Sequence, residues 1–424
     1  MNIALLHYSY APVIGGVELI LEQHACLFAD HGHRVTVICG AGQSEDSRVE
    51  LLCIPELVAS HPLTREAQRE LDGGVPGAKC SELTARFVEK LGEGLKNVDI
   101  LFIHNILTMP FNLCCTSALW ELAGRSQAAE TAASTTSRAT RFVGWIHDVA
   151  AANPDYHFPH LDRLPWKLLV VAHPGFEYVA VSEHRRRAFE AVTGESRCEV
   201  IPNGVNPCEL LELTAPVAEL VKKENLFGQE LVLLHPVRIL KRKNIELGIR
   251  TAGALAARGC SCRYLVTGAP DPHNPASLAY AEFLQGVRAE LGAEGVIFVN
   301  ELFHVTRRDL ASLYRIADVL FFPSRQEGFG IPLLEAAVCG LPILCADVEP
   351  MKSLWRRAGS GGKPGVMFFD PDIDPRALAE VLIDFCRESP TIRNRKFAIR
   401  EHSWENIYAN YLQPLLARRK NASV

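Results

Sequence analysis

Apolar residues recur along this chain with two periods, and their alternation organises it. Short apolar runs rich in β-branched and aromatic side chains read as parallel strands covered on both faces. In the first half they fall at residues 3–8, 34–38, 99–104, 141–147 and 177–181; in the second at 231–235, 263–267, 296–299, 319–322 and 342–345. Between them lie stretches with helical spacing: Val17, Leu21, His24 and Phe28 within residues 17–31, and a helix over 244–258. Strand and helix alternate twice over, with the break after residues 200–205, so the pattern predicts two successive α/β doubly wound domains with a cleft between them. Ligands in such sheets bind beyond the carboxyl ends of the strands. The final segment, 404–418, is amphipathic, with Ile407, Tyr411 and Leu415 on one stripe. Residues 55–79, rich in Pro, Gly and charge, read as a mobile or acceptor-facing excursion, and the Ala/Ser/Thr/Arg stretch 124–140 as a surface insertion.

Composition narrows the class. A chain of 424 residues is long for one domain and natural for two or three. Its hydrophobic content of 48% and charged content of 22% are those of an ordinary globular protein. The net charge of −5 offers no overall attraction to nucleic acid, and no nucleic-acid partner is expected. No apolar run reaches the ~20 residues needed to span a bilayer. The first residues, Asn2-Ile3-Ala4-Leu5-Leu6, already read as a core strand, so no signal peptide is expected. Thirteen cysteines, an odd number, lie mostly inside apolar segments. The close pairs Cys114-Cys115 and Cys260-Ser261-Cys262 lack zinc-site spacing, so we expect no metal and a reducing, cytoplasmic setting. Neither a G-x-G-x-x-G turn nor a G-x-x-x-x-G-K-[ST] loop occurs.

Candidate chemistry concentrates at residues 317–335, which read as a buried strand, a tight glycine loop and a helix start. Gly328 and Gly330 permit backbone conformations closed to other residues. Pro332 suits a first helical turn, Gly340 and Pro342 mark its end, and the free N–H groups at its start face a prospective anion. Glu327 and Glu335 frame the loop; side chains lean toward a helix N-terminus, so both could converge on one ligand. The plainer alternative makes Glu327 a loop cap and Glu335 a solvated acid favoured by the helix dipole. Arg238, Lys241, Arg242 and Lys243 crowd the turn before another helix, either as a solvated turn or as an anion clamp. Arg185, Arg186 and Arg187 read as a solvated helix face or as a patch for an anionic acceptor or membrane surface.

Taken as a unit, Glu-Gly-Phe-Gly-Ile-Pro-Leu-Leu-Glu (327–335) resembles the Glu-x7-Glu signature of family 4 retaining glycosyltransferases, the glycosyl transferases group 1. The resemblance implies a GT-B fold: two Rossmann-like domains facing a cleft, with a C-terminal helix crossing back. The implied boundaries are an acceptor domain over 1–205, a donor domain over 206–398 and the returning helix over 399–424. It assigns Arg238 and Lys243 to a diphosphate clamp, Glu327 to the hexose and Glu335 to the ribose hydroxyls. Backbone amides of Phe329, Gly330 and Ile331 meet sugar hydroxyls and phosphate, main-chain groups at Leu302 pair with the base, and Gly15-Gly16 nears the donor phosphates. His147, in Gly144-Trp145-Ile146-His147-Asp148, matches a histidine on the donor sugar, although a lone strand-end histidine is more often structural.

The implied activity is metal-independent transfer of mannose or glucose from GDP-mannose or UDP-glucose to an acceptor hydroxyl on a soluble glycoside, small acid or lipid-linked sugar. Fixed cations meet the leaving diphosphate in place of a metal. Two departures leave donor and base open: 346–350 lacks the family's glycine-rich turn, and 268–275 is longer and richer in proline. The alternatives are an epimerase, which needs a water-activating carboxylate at the anomeric carbon, a phosphorylase, which needs an inorganic phosphate site, and a non-catalytic nucleotide-sugar binder, which could dispense with Glu327 or Arg238.

Overall fold

The apolar runs become two fully parallel sheets. The computed structural model describes residues 1–13, 15–131, 139–271, 273–356 and 365–418; parts of two segments discussed above, 132–138 and Pro272, and residues 419–424 lie outside them. In the first sheet β1 (Asn2–Leu6), β2 (Arg34–Cys39), β3 (Val49–Cys53), β4 (Ile100–His104), β5 (Arg141–Ile146), β6 (Phe176–Ala180) and β7 (Cys198–Val200) run in the order β3-β2-β1-β4-β5-β6-β7. In the second, β8 (Leu231–His235), β9 (Cys262–Val266), β10 (Val296–Phe298), β11 (Val319–Phe322), β12 (Ile343–Ala346) and β13 (Val366–Phe369) run in the order β10-β9-β8-β11-β12-β13. β4, β5, β8 and β11 are buried at every position, which is why their sequences read as continuous apolar runs rather than alternating ones.

Each sheet reverses its strand order once, between β1 and β4 and between β8 and β11. Loops leaving adjacent strands at such a point diverge to opposite faces and open a crevice at the carboxyl ends. The chain divides into two compact units, Met1–Gly204 with Trp404–Val424, and Val205–Ser403. The crossings thus fall after Gly204 and after Ser403, where the sequence-based boundaries stand at 205 and 398. Within the first unit a Cβ on Gly204 would lie 2.6 Å from the Trp404 ring, so this indole needs glycine opposite it. Within the second, Val205 pairs with Ser403 and donates its N–H to His402 O at 2.7 Å.

Three expectations are corrected. Residues 55–79 are not an excursion: Pro62–Asp72 is a helix with Pro in its first turn and Thr64, Ala67 and Leu71 on its inner face. Its Pro and charges are helix-start and outer-face residues, a composition that imitates a linker. Edge strands β3, β7 and β13 went unread; each is only partly covered, with at least one position in each half-exposed or exposed. The terminal stripe also shifts. Ile407 and Leu415 are buried as expected, but Tyr411 is exposed and Tyr408 and Leu412 are buried in its stead. A π turn over Tyr408–Leu412 widens the helix by a residue, which carries Leu412 to the inner face.

Candidate functional site

In the second unit, two loops at the β8/β11 reversal interlock. The Arg325 N–H donates to Arg242 O at 2.9 Å, and Arg242 Nη1 donates to Gln326 O at 3.0 Å. Lys243 Nζ donates to Glu327 Oε1 at 2.5 Å, both side chains nearly buried, and lies 5.9 Å from the centroid of the Phe322 ring. Burial lowers the Lys243 pKa, an effect that the Glu327 carboxylate opposes. Arg242 Nη1 stands 3.9 Å from the other Glu327 oxygen, so this carboxylate meets two cations.

Arg238, the other expected clamp residue, is exposed and makes no hydrogen bond or ion pair to a described residue. Its loop is nevertheless rigidly seated. Gly268 N donates to Val237 O at 3.0 Å, where a Cβ on Gly268 would sit 2.2 Å from that oxygen, and Ser277 Oγ donates to Ile239 O at 2.6 Å. Arg242 is not simply a solvated turn residue, because folding brings it onto the glycine loop. Of the four basic residues in this turn, Lys243 is buried rather than solvated.

The glycine loop ends at Gly330, whose φ of 93° lies in the left-handed region open to glycine. It caps the helix Ile331–Val338, with Pro332 in the first turn. Within the protein, Glu335 and Glu327 have separate partners. Glu335 Oε2 accepts from the Tyr314 hydroxyl at 2.7 Å, a positioning contact that the sequence reading missed because Tyr314 comes from the separate helix Arg307–Ile316. Phe329 and Ile331 expose their side chains at 54% and 59%, an apolar margin beside the loop. Leu302 closes the helical turn Val299–Leu302, and β10 ends at Phe298, one residue short of the strand end expected at 299.

In the first unit, Gly15 and Gly16 open the helix Gly16–Asp30 after β1. A Cβ on Gly15 would fall 2.1 Å from Glu18 Oε2, so the missing side chain makes room for that carboxylate over the helix start. Glu18 also accepts from Ser9 Oγ at 2.7 Å and stands 3.7 Å from His7 Nε2; the His7 contact, foremost, holds its pKa down at about 2. His147 follows β5, half-buried, with Nε2 3.1 Å from His104 Nδ1. Burial lowers its pKa to about 3. No pattern in the sequence marks His7, Glu18, His104 and His147 as neighbours; parallel pairing of β1, β4 and β5 places them together. The arginine run resolves to ion pairs: Arg185 with Asp148 at 3.1 Å, Arg186 with Glu183 and Glu190, and Arg187 with Glu183.

Among the described residues no group of three or more His, Cys, Asp or Glu is placed to hold a metal, and no helix is long and apolar enough to cross a membrane. All thirteen cysteines are free thiols.

Residues 14–209 match the family model described as Glycosyltransferase Family 4, and residues 217–402 match that of Glycosyl transferases group 1. The O-antigen chain mannosyltransferase B of Escherichia coli is 36% identical over 26% of this chain and 28% of that protein. The D-inositol 3-phosphate glycosyltransferase of Kineococcus radiotolerans is 32% identical over 36% and 35%. A GDP-mannose-dependent alpha-(1-6)-phosphatidylinositol monomannoside mannosyltransferase of Mycolicibacterium smegmatis is 25% identical over 62% and 69%. The aligned stretch spans between 28% and 53% of the first relatives' own lengths. The solved structure of WaaG, a glycosyltransferase of lipopolysaccharide biosynthesis, is 20% identical over 96% of this chain and 95% of that one, at a TM-score of 0.32.

Proposed function

The chain belongs to the family 4 (group 1) glycosyltransferases, and on that premise we propose that it is a retaining, metal-independent hexosyltransferase. It moves mannose or glucose from a nucleotide-diphosphate sugar to an acceptor hydroxyl. The observation that carries this reading is the β8/β11 reversal: a buried Lys243–Glu327 pair under a glycine loop, with the exposed Arg238 guanidinium in the next loop.

Cleaving the bond between the sugar and the diphosphate leaves negative charge on the leaving group. Arg238, helped by the helix N–H groups at Ile331, meets that charge where it develops. Lys243 holds the Glu327 side chain in place, so its oxygens accept hydrogen bonds from hexose hydroxyls in a fixed geometry. Glu335, steadied by Tyr314, accepts from the ribose hydroxyls. The new bond forms from the acceptor oxygen to the anomeric carbon on the face the diphosphate leaves. The acceptor proton passes to a departing phosphate oxygen, so no side-chain nucleophile is required.

The names of two relatives point to mannose, and one of them to GDP-mannose, as the donor to try first, with UDP-glucose second. The test is a thermal-shift screen against nucleotide sugars, then mass spectrometry of products and NMR of the product's anomeric configuration. We expect one nucleotide sugar to stabilise the protein and its sugar to be transferred with retention. Inversion at the anomeric carbon refutes the mechanism, and indifference to every nucleotide sugar refutes the function.

A further inference from the structure

His147 is held twice by the end of the neighbouring strand. Its ring meets His104, the last residue of β4, with centroids 5.4 Å apart and Nδ1 of His104 3.1 Å from Nε2 of His147. Its backbone meets the next residue: Asn105 Oδ1 accepts from the N–H groups of His147 at 3.2 Å and Asp148 at 2.8 Å. Asn105 itself stands at φ 56°, a left-handed conformation unusual outside glycine and best tolerated by Asn and Asp. Residue placement this restrictive is found where a side chain must be aimed.

The contact between the rings needs one N–H and one lone pair, so it fixes a pair of tautomers. What the other nitrogens meet decides which pair. His104 is fully buried, with its ring against those of His24 and Trp145, and its Nε2 has no hydrogen-bond partner among the described residues. A buried N–H without an acceptor costs more than a bare lone pair, since orphaned donors are the rarer case in folded proteins. His104 therefore carries its proton on Nδ1 and donates to Nε2 of His147. That leaves the His147 proton on Nδ1, on the side of the ring not engaged with β4.

The groups packed around the pair agree. His7 donates from Nδ1 to the His104 carbonyl at 2.8 Å and turns Nε2 toward Glu18, 3.7 Å away, so it leaves both ring nitrogens of His104 to the contacts described above. His24 lies on the other side, held neutral by burial, with its pKa lowered to about 3.

We propose that His104 is a positioning residue that locks His147 in the tautomer presenting Nδ1–H to a substrate oxygen. Only the identity of that oxygen, on a sugar substrate, rests on the transferase reading. His147 is then a neutral hydrogen-bond donor, not a general base. His104→Asn keeps a donor close to the place of Nδ1, and His104→Val removes it.

The experiment is long-range ¹H–¹⁵N correlation of the histidine rings in the full-length protein, with the His147 signals assigned by their loss in His147→Gln. The wild type should show a protonated Nδ1 and a bare Nε2 at His147; the reverse overturns the proposal without any variant. His104→Val should return His147 toward the Nε2–H tautomer that free imidazoles prefer, and His104→Asn should keep it in place. An unchanged spectrum in His104→Val shows that His104 is not what sets the tautomer. With a nucleotide sugar identified as donor, His104→Val should lose roughly three- to tenfold in kcat/KM, the factor one hydrogen bond carries, and His104→Asn should recover it. Absence of turnover with every nucleotide sugar refutes the transferase reading and leaves the tautomer result standing.

Discussion

At the scale of single residues, Arg238 and Lys243 look alike in sequence and differ in the fold. Arg238 is exposed, so Arg238→Ala should leave the melting temperature unchanged while slowing transfer by roughly 10²–10³, the usual loss for one preorganised charge partner. Lys243→Ala strips the nearest cation from a nearly buried carboxylate. Breaking a buried pair costs up to about 3–5 kcal/mol, and Arg242 at 3.9 Å should soften that. Because neutralising both partners removes the uncompensated charge, Lys243→Met with Glu327→Gln should be more stable than Lys243→Ala and equally inactive. Thermal denaturation beside steady-state kinetics separates these outcomes; a melting temperature unchanged in Lys243→Ala contradicts the buried pair. At Glu335 the expected signature is a raised donor KM with kcat largely kept, because ribose contacts persist from ground to transition state. Tyr314→Phe should move KM the same way by roughly three- to tenfold, the worth of one hydrogen bond.

At the scale of elements, the returning helix is the clearest case of a pattern that the fold re-registers. A straight helix through Ile407 and Leu415 puts Tyr411 on the inner stripe, and the π turn puts Leu412 there. Leu412→Ala should therefore cost about 2–5 kcal/mol, as for other buried leucines, whereas Tyr411→Ala should fall within about 0.5 kcal/mol of wild type, as exposed substitutions do. Chemical denaturation of the two variants checks this, and equal losses would restore the straight helix. Arg141 is a second element-scale device. It pairs with Glu177 at 2.7 Å and donates to the carbonyls of Leu415 and Arg418 at 3.1 and 3.2 Å, closing the helix end over the first sheet.

At the scale of the molecule, stability should depend on pH through buried histidines. Burial holds His24 and His147 neutral, each with a folded pKa of about 3, and His104 is held well below its usual value. In the unfolded chain a histidine takes up a proton near pH 6.5. The unfolded state thus binds more protons between these limits, and stability falls as pH drops from about 6.5 toward 3, by up to about 1.4 kcal/mol per pH unit for each histidine. Urea midpoints measured from pH 7 to pH 5 should decline, less steeply in His24→Phe. A flat profile would mean that these rings charge freely in the fold. Activity, on the proposed mechanism, should survive an excess of chelator; loss restored by magnesium or manganese would show a metal in the role given to Arg238.

Much of this was legible in the chain itself. Strands that become fully buried announce themselves, because a strand covered on both faces must be apolar throughout; all four of the strands that flank the two reversals were read to within two residues at either end. The glycine loop was legible too, since a left-handed residue before a helix start leaves Gly330 and Pro332 as a visible pair. Half-covered elements were not: the edge strands β3, β7 and β13 are only partly buried, and the helix Pro62–Asp72 carries too few apolar residues to stand out. What only the tertiary structure decided is which polar groups meet. Lys243 lies 84 residues from Glu327, Tyr314 lies 21 from Glu335, and His104 lies 43 from His147. Strand order sets those meetings, and strand order follows from how whole sheets bury their faces, which no local spacing encodes.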